Sequence, residues 1–201
     1  MTNKKELRFF PMSEIRIAME GEKPILRGHA AVFNLPSVIL RAENGEQFRE
    51  IISPGAFRSA LMRCDYRSMF NHNPDKILGR RSAGTMIASE DASGVPYEVN
   101  LPDTTYARDL QVSMSRGDVK ECSFGFSVRE GGDSWQKDNT GMWVRTIMED
   151  GIEEIYDLSP VVFPAYPDTS CALRSLEKVR AETMPFNDTE LQRLKLQIAT
   201  I

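Results

Sequence analysis

Residues 120–129 read Lys120-Glu121-Cys122-Ser123-Phe124-Gly125-Phe126-Ser127-Val128-Arg129. Cys122, Phe124, Phe126 and Val128 alternate with Ser123, Gly125 and Ser127, the period-two mark of a strand with one face in a core. With the apolar set inside, Ser123 is expected on the opposite, open face. Gly125, two residues on, adds no side chain there, so a substrate carbonyl would have room beside the hydroxyl. A solvated strand serine without chemistry fits the same pattern and is the commoner case.

Outward from this strand the chain breaks into short strand-like runs with a few helices. Residues 25–34, small and apolar around Gly28 and Ala30 to Phe33, read as a strand. Residues 38–52 read as a hairpin turning at Glu43-Asn44-Gly45, because Asn-Gly tolerates positive φ. Ser53-Pro54 is expected to start a helix, Ser capping free N–H groups and Pro fitting the first position, with Phe57, Leu61 and Cys64 as its buried stripe. Residues 66–71 form a strand ending at His72, and Asn73-Pro74 keeps the following segment out of a helix. Residues 85–89 and 95–101 pair through Asp91-Ala92-Ser93-Gly94. Pro102-Asp103-Thr104 opens a second helix carrying Tyr106, Leu110 and Met114, which Gly117 stops. Residues 130–141 read as a surface loop, followed by a hairpin of residues 142–148 and 152–158 turning at Asp150-Gly151. After about residue 173 the sequence turns charged, with Pro185 and Asn187-Asp188, so residues 1–173 form one domain and 174–201 a tail, helical in part from Asp188 onward. The fold class expected is α+β, mostly β and barrel-like.

Composition narrows the chemistry. The chain has 201 residues, 41% hydrophobic and 27% charged, with 25 Lys plus Arg against 29 Asp plus Glu for a formal charge of −4. That is ordinary globular composition, with no net field toward nucleic acid. The apolar runs are too short to span a membrane, and the charged start has no apolar segment behind it, so a cytosolic protein is expected. Neither nucleic acid nor a membrane is expected as a partner. Cys64, Cys122 and Cys171 are odd in number and widely spaced, which argues against a disulfide framework or a structural zinc site. No phosphate-binding glycine loop, dinucleotide fingerprint or His-Glu-x-x-His motif is present, so neither a cofactor nor a metal is expected.

Any imidazole chemistry must use His29 or His72. His72, at a strand end between Asn71 and Asn73, is the better base, since a neutral ring there can take a serine proton and return it to a leaving amine. His29 lies inside a small-residue strand and reads as a packed ring. An acidic third group would orient the imidazole. Glu153, Glu154 and Asp157 cluster on one late strand, where alternation sets Glu154 on one face and Asp157, with Glu153, on the other. Solvated charges are the ordinary role of such a cluster.

Seven segments in order resemble the tailed-phage prohead, or head maturation, proteases, serine peptidases related in fold to the herpesvirus assembly proteases. They are residues 27–34 (RGHAAVFN), 50–57 (EIISPGAF), 70–74 (FNHNP), 78–80 (LGR), 101–104 (LPDT), 123–126 (SFGF) and 157–166 (DLSPVVFPAY). By this resemblance Ser123 is the nucleophile, His72 the general base, and Asp157, just before the Leu-Ser step, the third member, where the family often has Glu. The herpesvirus relatives use a second histidine there; the late strand has none, and His29 stays structural. The resemblance implies a closed, mostly antiparallel β-barrel of the herpesvirus-protease type with flanking helices. It further implies cleavage of capsid precursor and scaffold segments inside the immature head in the host bacterial cytoplasm, self-cleavage near the C-terminus, and, by analogy with dimeric herpesvirus relatives, a homodimer. The rival reading is a non-catalytic capsid-assembly or scaffolding protein on the same barrel, with Ser123 inert. An α/β-hydrolase would want Gly-x-Ser-x-Gly, which Cys122-Ser123-Phe124-Gly125 does not supply.

Overall fold

A computed structural model describes residues 5–9, 15–21, 23–42 and 44–163. Three sheets carry the fold. The first contains β1 (Glu6–Arg8), β10 (Glu121–Val128), β13 (Ile152–Val161), β6 (Arg67–Met69) and β7 (Ile77–Arg80), in that order. The second is β11 (Asp133–Lys137), β12 (Trp143–Ile147), β5 (Gln47–Ile52) and β4 (Leu40–Arg41), and the third is β2 (Ile15–Glu20), β3 (Lys23–Val32), β9 (Gly94–Asn100) and β8 (Met86–Ala88). Among the described residues, helices α1 (Arg58–Arg63) and α2 (Thr105–Ser115) complete the regular elements, with single 3-10 turns at Phe70–His72 and Pro74–Lys76.

The mostly-β expectation holds, but the closed barrel does not. Among the described residues none of the sheets joins another through a continuous ladder, and two pairings are parallel, β12 with β5 and β13 with β6. The physical cause lies in the turns between sheets. The expected hairpin of residues 142–158 is absent because the turn at residues 148–151, with Asp150 at φ 52°, carries the chain from the second sheet to the first. Met148 N–H donates to the carbonyl of Gly132, and a Cβ on Gly151 would lie 2.2 Å from that oxygen, so two backbones cross where only glycine fits. The loop expected over residues 130–141 contains β11, whose Trp135 packs on Phe48 with ring centroids 5.1 Å apart. Ser53-Pro54 starts a turn and not the helix. Gly55 sits at φ 84°, outside helical geometry, so α1 begins only after Phe57. The Asn44-Gly45 turn, the 86–100 strand pair and the helix ended by Gly117 at φ 81° follow the sequence reading.

The main core lies under β10. Phe124 packs edge-on against Phe57 at 5.6 Å and beside Phe126 at 5.1 Å, all three fully buried. On the same side of β1, Glu6 and Arg8 enter a buried ionic cluster with Glu50, Arg145 and Asp133. Arg145 Nη1 lies 2.9 Å from both Glu6 and Glu50, its Nε lies 2.6 Å from Asp133, and Arg8 Nε lies 2.9 Å from Glu50. This cluster fastens the edge of the first sheet to the second. Burial alone would raise the Glu6 carboxyl, but Arg145 and then Arg8 outweigh it and hold it below the usual carboxylate range. Breaking a buried network by removing one partner costs far more than an exposed pair is worth, so Arg145→Met should destabilise the fold by about 3–5 kcal/mol in denaturant titration. Because the Glu6 carboxyl is depressed in the folded state, its stabilisation is full above the ordinary value of about 4.3 and declines as pH falls below it, so the stability difference between wild type and Glu6→Gln, followed by denaturant titration from pH 6 downward, should shrink in that range.

Candidate active site

The second face of β10 is a polar layer and not an open surface. β10 pairs antiparallel with β13, placing Ser123 opposite Ser159 and Gly125 opposite Asp157. Directly paired residues share a face, so Ser123, Gly125, Asp157 and Ser159 all face one way. Ser123 is fully buried there, against the expectation of exposure. The reason is that neighbouring elements cover this face: the Phe70–His72 turn lies against β13, and Lys5 reaches in from the other side.

His72 is aimed by its backbone. Asn71 and His72 both take left-handed conformations, φ 54° and 57°, at roughly 1–2 kcal/mol each for residues with a Cβ, Asn bearing it best. Val162 N–H donates to Asn71 Oδ1 at 2.8 Å, tying the turn to the end of β13, and Asn73 Oδ1 accepts from Asp75 N–H to start the next turn. The Asn-His-Asn-Pro run is thus a device for ending β6 and swinging one imidazole over the sheet. The ring lies between two partners: Nε2 is 2.9 Å from Ser123 Oγ, and Nδ1 bonds Asp157 Oδ1. An ionised Asp157 only accepts, so Nδ1 carries the proton and Nε2 is left to accept from the serine hydroxyl.

Asp157 is the electrostatic centre of this layer. Its carboxylate is fully buried, and Oδ1 also accepts from Ser159 Oγ at 2.7 Å, while Lys5 Nζ lies 2.7 Å from Oδ2. Burial pushes the carboxyl up, but His72 first and Lys5 next more than offset it, so Asp157 stays ionised below its ordinary range. Ser159 Oγ in turn accepts from Met69 N–H at 3.2 Å, linking β13 to β6. Gly125 is required by this packing. A Cβ there would meet Lys5 Cε at 2.5 Å and Asp157 Oδ2 at 2.7 Å, so the space read from sequence as room for a substrate is filled by this ion pair.

The other acidic candidates point elsewhere. β10 and β13 slip register after Gly125 and again after Ser127, so strict alternation fails along the late strand. Glu153 is half exposed, 3.6 Å from Arg63 and from Arg129, and Glu154 is exposed. His29 is no packed ring: its side chain is 44% exposed, with Nε2 3.7 Å from Asp91. Lys5 and Ser159 received no role from sequence. Ser159 was within reach of it, two residues beyond Asp157 on the same strand face; Lys5, 152 positions from its partner, carried no signal. A groove of about 680 Å³ between α1 and β8, lined by Leu61, Met62, Tyr66, Ile87 and Glu90 among others, includes none of these site residues. Among the described residues no group of His, Cys, Asp or Glu is arranged to hold a metal ion, and no helix is long and apolar enough to cross a membrane.

Cys122, the neighbour of Ser123, faces the core. Its thiol is fully buried 3.3 Å from the Tyr97 hydroxyl, and burial pushes it up to about 12. At pH 8 it should resist alkylation in the native state and label only on unfolding, as peptide mapping by mass spectrometry would show.

A family model described as Caudovirus prohead serine protease matches residues 12–182. A solved structure of the bacteriophage T4 capsid assembly protease, gp21, is similar over 81% of this chain and 100% of its own, at 13% identity and a TM-score of 0.46. No curated protein matches the sequence.

Proposed function

Because the chain belongs to the Caudovirus prohead serine protease family, we propose that it is a serine endopeptidase that cleaves capsid precursor and scaffold segments inside the immature head. The observation that carries this reading is the continuous contact Ser123 Oγ–His72 Nε2–His72 Nδ1–Asp157, ending on a fully buried carboxylate. A serine inert in a scaffold has no use for a base held at 2.9 Å by two strained residues.

In the first step Ser123 Oγ attacks the peptide carbonyl carbon while His72 Nε2 takes the hydroxyl proton. Asp157 holds the ring through Nδ1–H and stabilises the imidazolium. The C–N bond then breaks, Nε2 gives its proton to the leaving amine, and the acyl group remains on Ser123. Water attacks that ester with His72 again as base, and the serine proton returns as the acid product leaves. Of the three residues only His72 keeps exposed surface, 14% of its side chain, so the peptide enters over His72 and the chain around Ser123 opens to admit it. The expected tail and its self-cleavage fall on residues 174–201, outside the described residues, as do Cys171 and the last segment of the 157–166 motif.

The test is intact mass of the protein over time with co-expressed capsid precursor, beside Ser123→Ala. Cleavage by wild type with Ser123→Ala whole supports the reading, and equal cleavage by both overturns the nucleophile. Both chains staying whole in assembled proheads favours the scaffolding role. In kinetics, Ser123→Ala should lower kcat by roughly 10⁴–10⁶, and adding His72→Ala should cost little more, because the members act as one unit. Asp157→Asn should lower kcat by about 10⁴ while leaving substrate binding near wild type.

A further inference from the structure

We propose that Lys5 is a positioning residue for the Ser123–His72–Asp157 relay, fixing the Asp157 carboxylate across the gap that Gly125 leaves; the inference rests on the protease reading above. β1 pairs with β10 so that Leu7 lies opposite Gly125, which lies opposite Asp157. Lys5, two residues before Leu7, shares that face, and its side chain runs over the bare Gly125 backbone to Asp157 Oδ2 at 2.7 Å. Among the described residues it is the donor to that oxygen, since His72 and Ser159 both bond Oδ1. An exposed pair would be worth little, but here one partner is fully buried and the other keeps 39% of its side chain in solvent. Lys5 thus keeps part of its side chain in solvent while its ammonium neutralises a desolvated carboxylate. The Lys5 ammonium also lies 5.4 Å over the Tyr156 ring, a second contact that fixes its tip.

Lys5 touches neither Ser123 nor a substrate, so its effect passes through Asp157 to the imidazole. It pins the carboxylate plane against two donors on its other oxygen, and it places a positive charge near the ring that receives the serine proton. Among the described residues the ionisable groups near Asp157 are His72, Lys5, Tyr97, Cys122 and Arg67, which is register-paired with it on β6; Tyr97 and Cys122 are buried and raised, and Arg67 turns to the Asp65 carbonyl and carboxylate instead. Among the described residues Lys5 is therefore the fixed cation in contact with the carboxylate that can be removed without touching the imidazole. Without it no fixed cation opposes the positive charge that the imidazole acquires on taking the serine proton, so the balance of charge at the base changes with the variant.

The experiment measures kcat/KM against pH for wild type, Lys5→Met and Lys5→Arg on a peptide spanning the precursor cleavage site, with Ser123→Ala as blank and thermal unfolding of each variant beside it. Lys5→Met should lose roughly 10- to 100-fold at its optimum. Its acid limb should move up by about half a pH unit or more, and Lys5→Arg should restore both. A wild-type rate and limb in Lys5→Met overturns the inference. So does a rate loss with an unmoved limb that follows a lowered unfolding temperature, because that is the signature of strand pairing alone. If Lys5→Met does not fold, Lys5→Arg decides: a wild-type limb supports the charge role, and a shifted one overturns it. Wild-type cleavage no greater than the Ser123→Ala blank would instead be the failure of the protease reading itself.

Discussion

One buried carboxylate sets the terms for the rest of this molecule. Asp157 lies fully inside the protein, where an unpaired charge is costly, and three donors from three places in the chain meet it: His72 after β6, Ser159 on its own strand and Lys5 before β1. Each donor needs a backbone feature to arrive. His72 needs two left-handed residues in a row, Lys5 needs the missing side chain of Gly125, and Ser159 needs the extended strand that sets it two residues from Asp157 on one face. The tight packing around Asp157 is the means of keeping a carboxylate ionised away from water, and a hydroxyl held 2.9 Å from the imidazole is its chemical consequence.

The edge strand β1 shows how the same constraint reaches the whole fold. Three residues long, it has too little ladder to hold itself in place. Its two faces are fixed by charge instead. Glu6 and Arg8 enter the buried cluster that joins the first sheet to the second, and the segment just before them sends Lys5 to Asp157. Fold stability and site geometry thus share one strand, with opposite faces assigned to each. Both clusters pair every buried charge with several partners, which is the condition under which burial of ions is tolerated at all.

Local patterns carried much of this into the sequence. Period-two alternation in residues 120–129 marked the central strand, Asn-Pro marked the turn that presents His72, and Asn-Gly and Gly117 marked a hairpin and a helix end, each a short-range rule written in neighbouring residues. What alternation could not show was the second face of β10. It predicts that one face is apolar, and says nothing of whether the other meets water or a layer of charges, so alternation alone puts Ser123 on an open face. Long-range placement failed for a related reason. The turn at residues 148–151 looks like a hairpin turn locally, and only the crossing with Gly132 sends β12 and β13 into different sheets. The barrel expectation fell with it. Lys5 is the clearest case, because nothing in a lysine before Glu-Leu-Arg points to an aspartate 152 positions away.

The central claim is that the Ser123 hydroxyl is activated by His72 in the folded protein. Reaction with a serine-directed fluorophosphonate, read by intact mass and peptide mapping, tests it without requiring knowledge of the cleavage site. The account predicts a single adduct, located on Ser123, absent from urea-unfolded protein and strongly slowed in His72→Ala. An adduct on another residue, or one that forms equally in the unfolded chain, would contradict it.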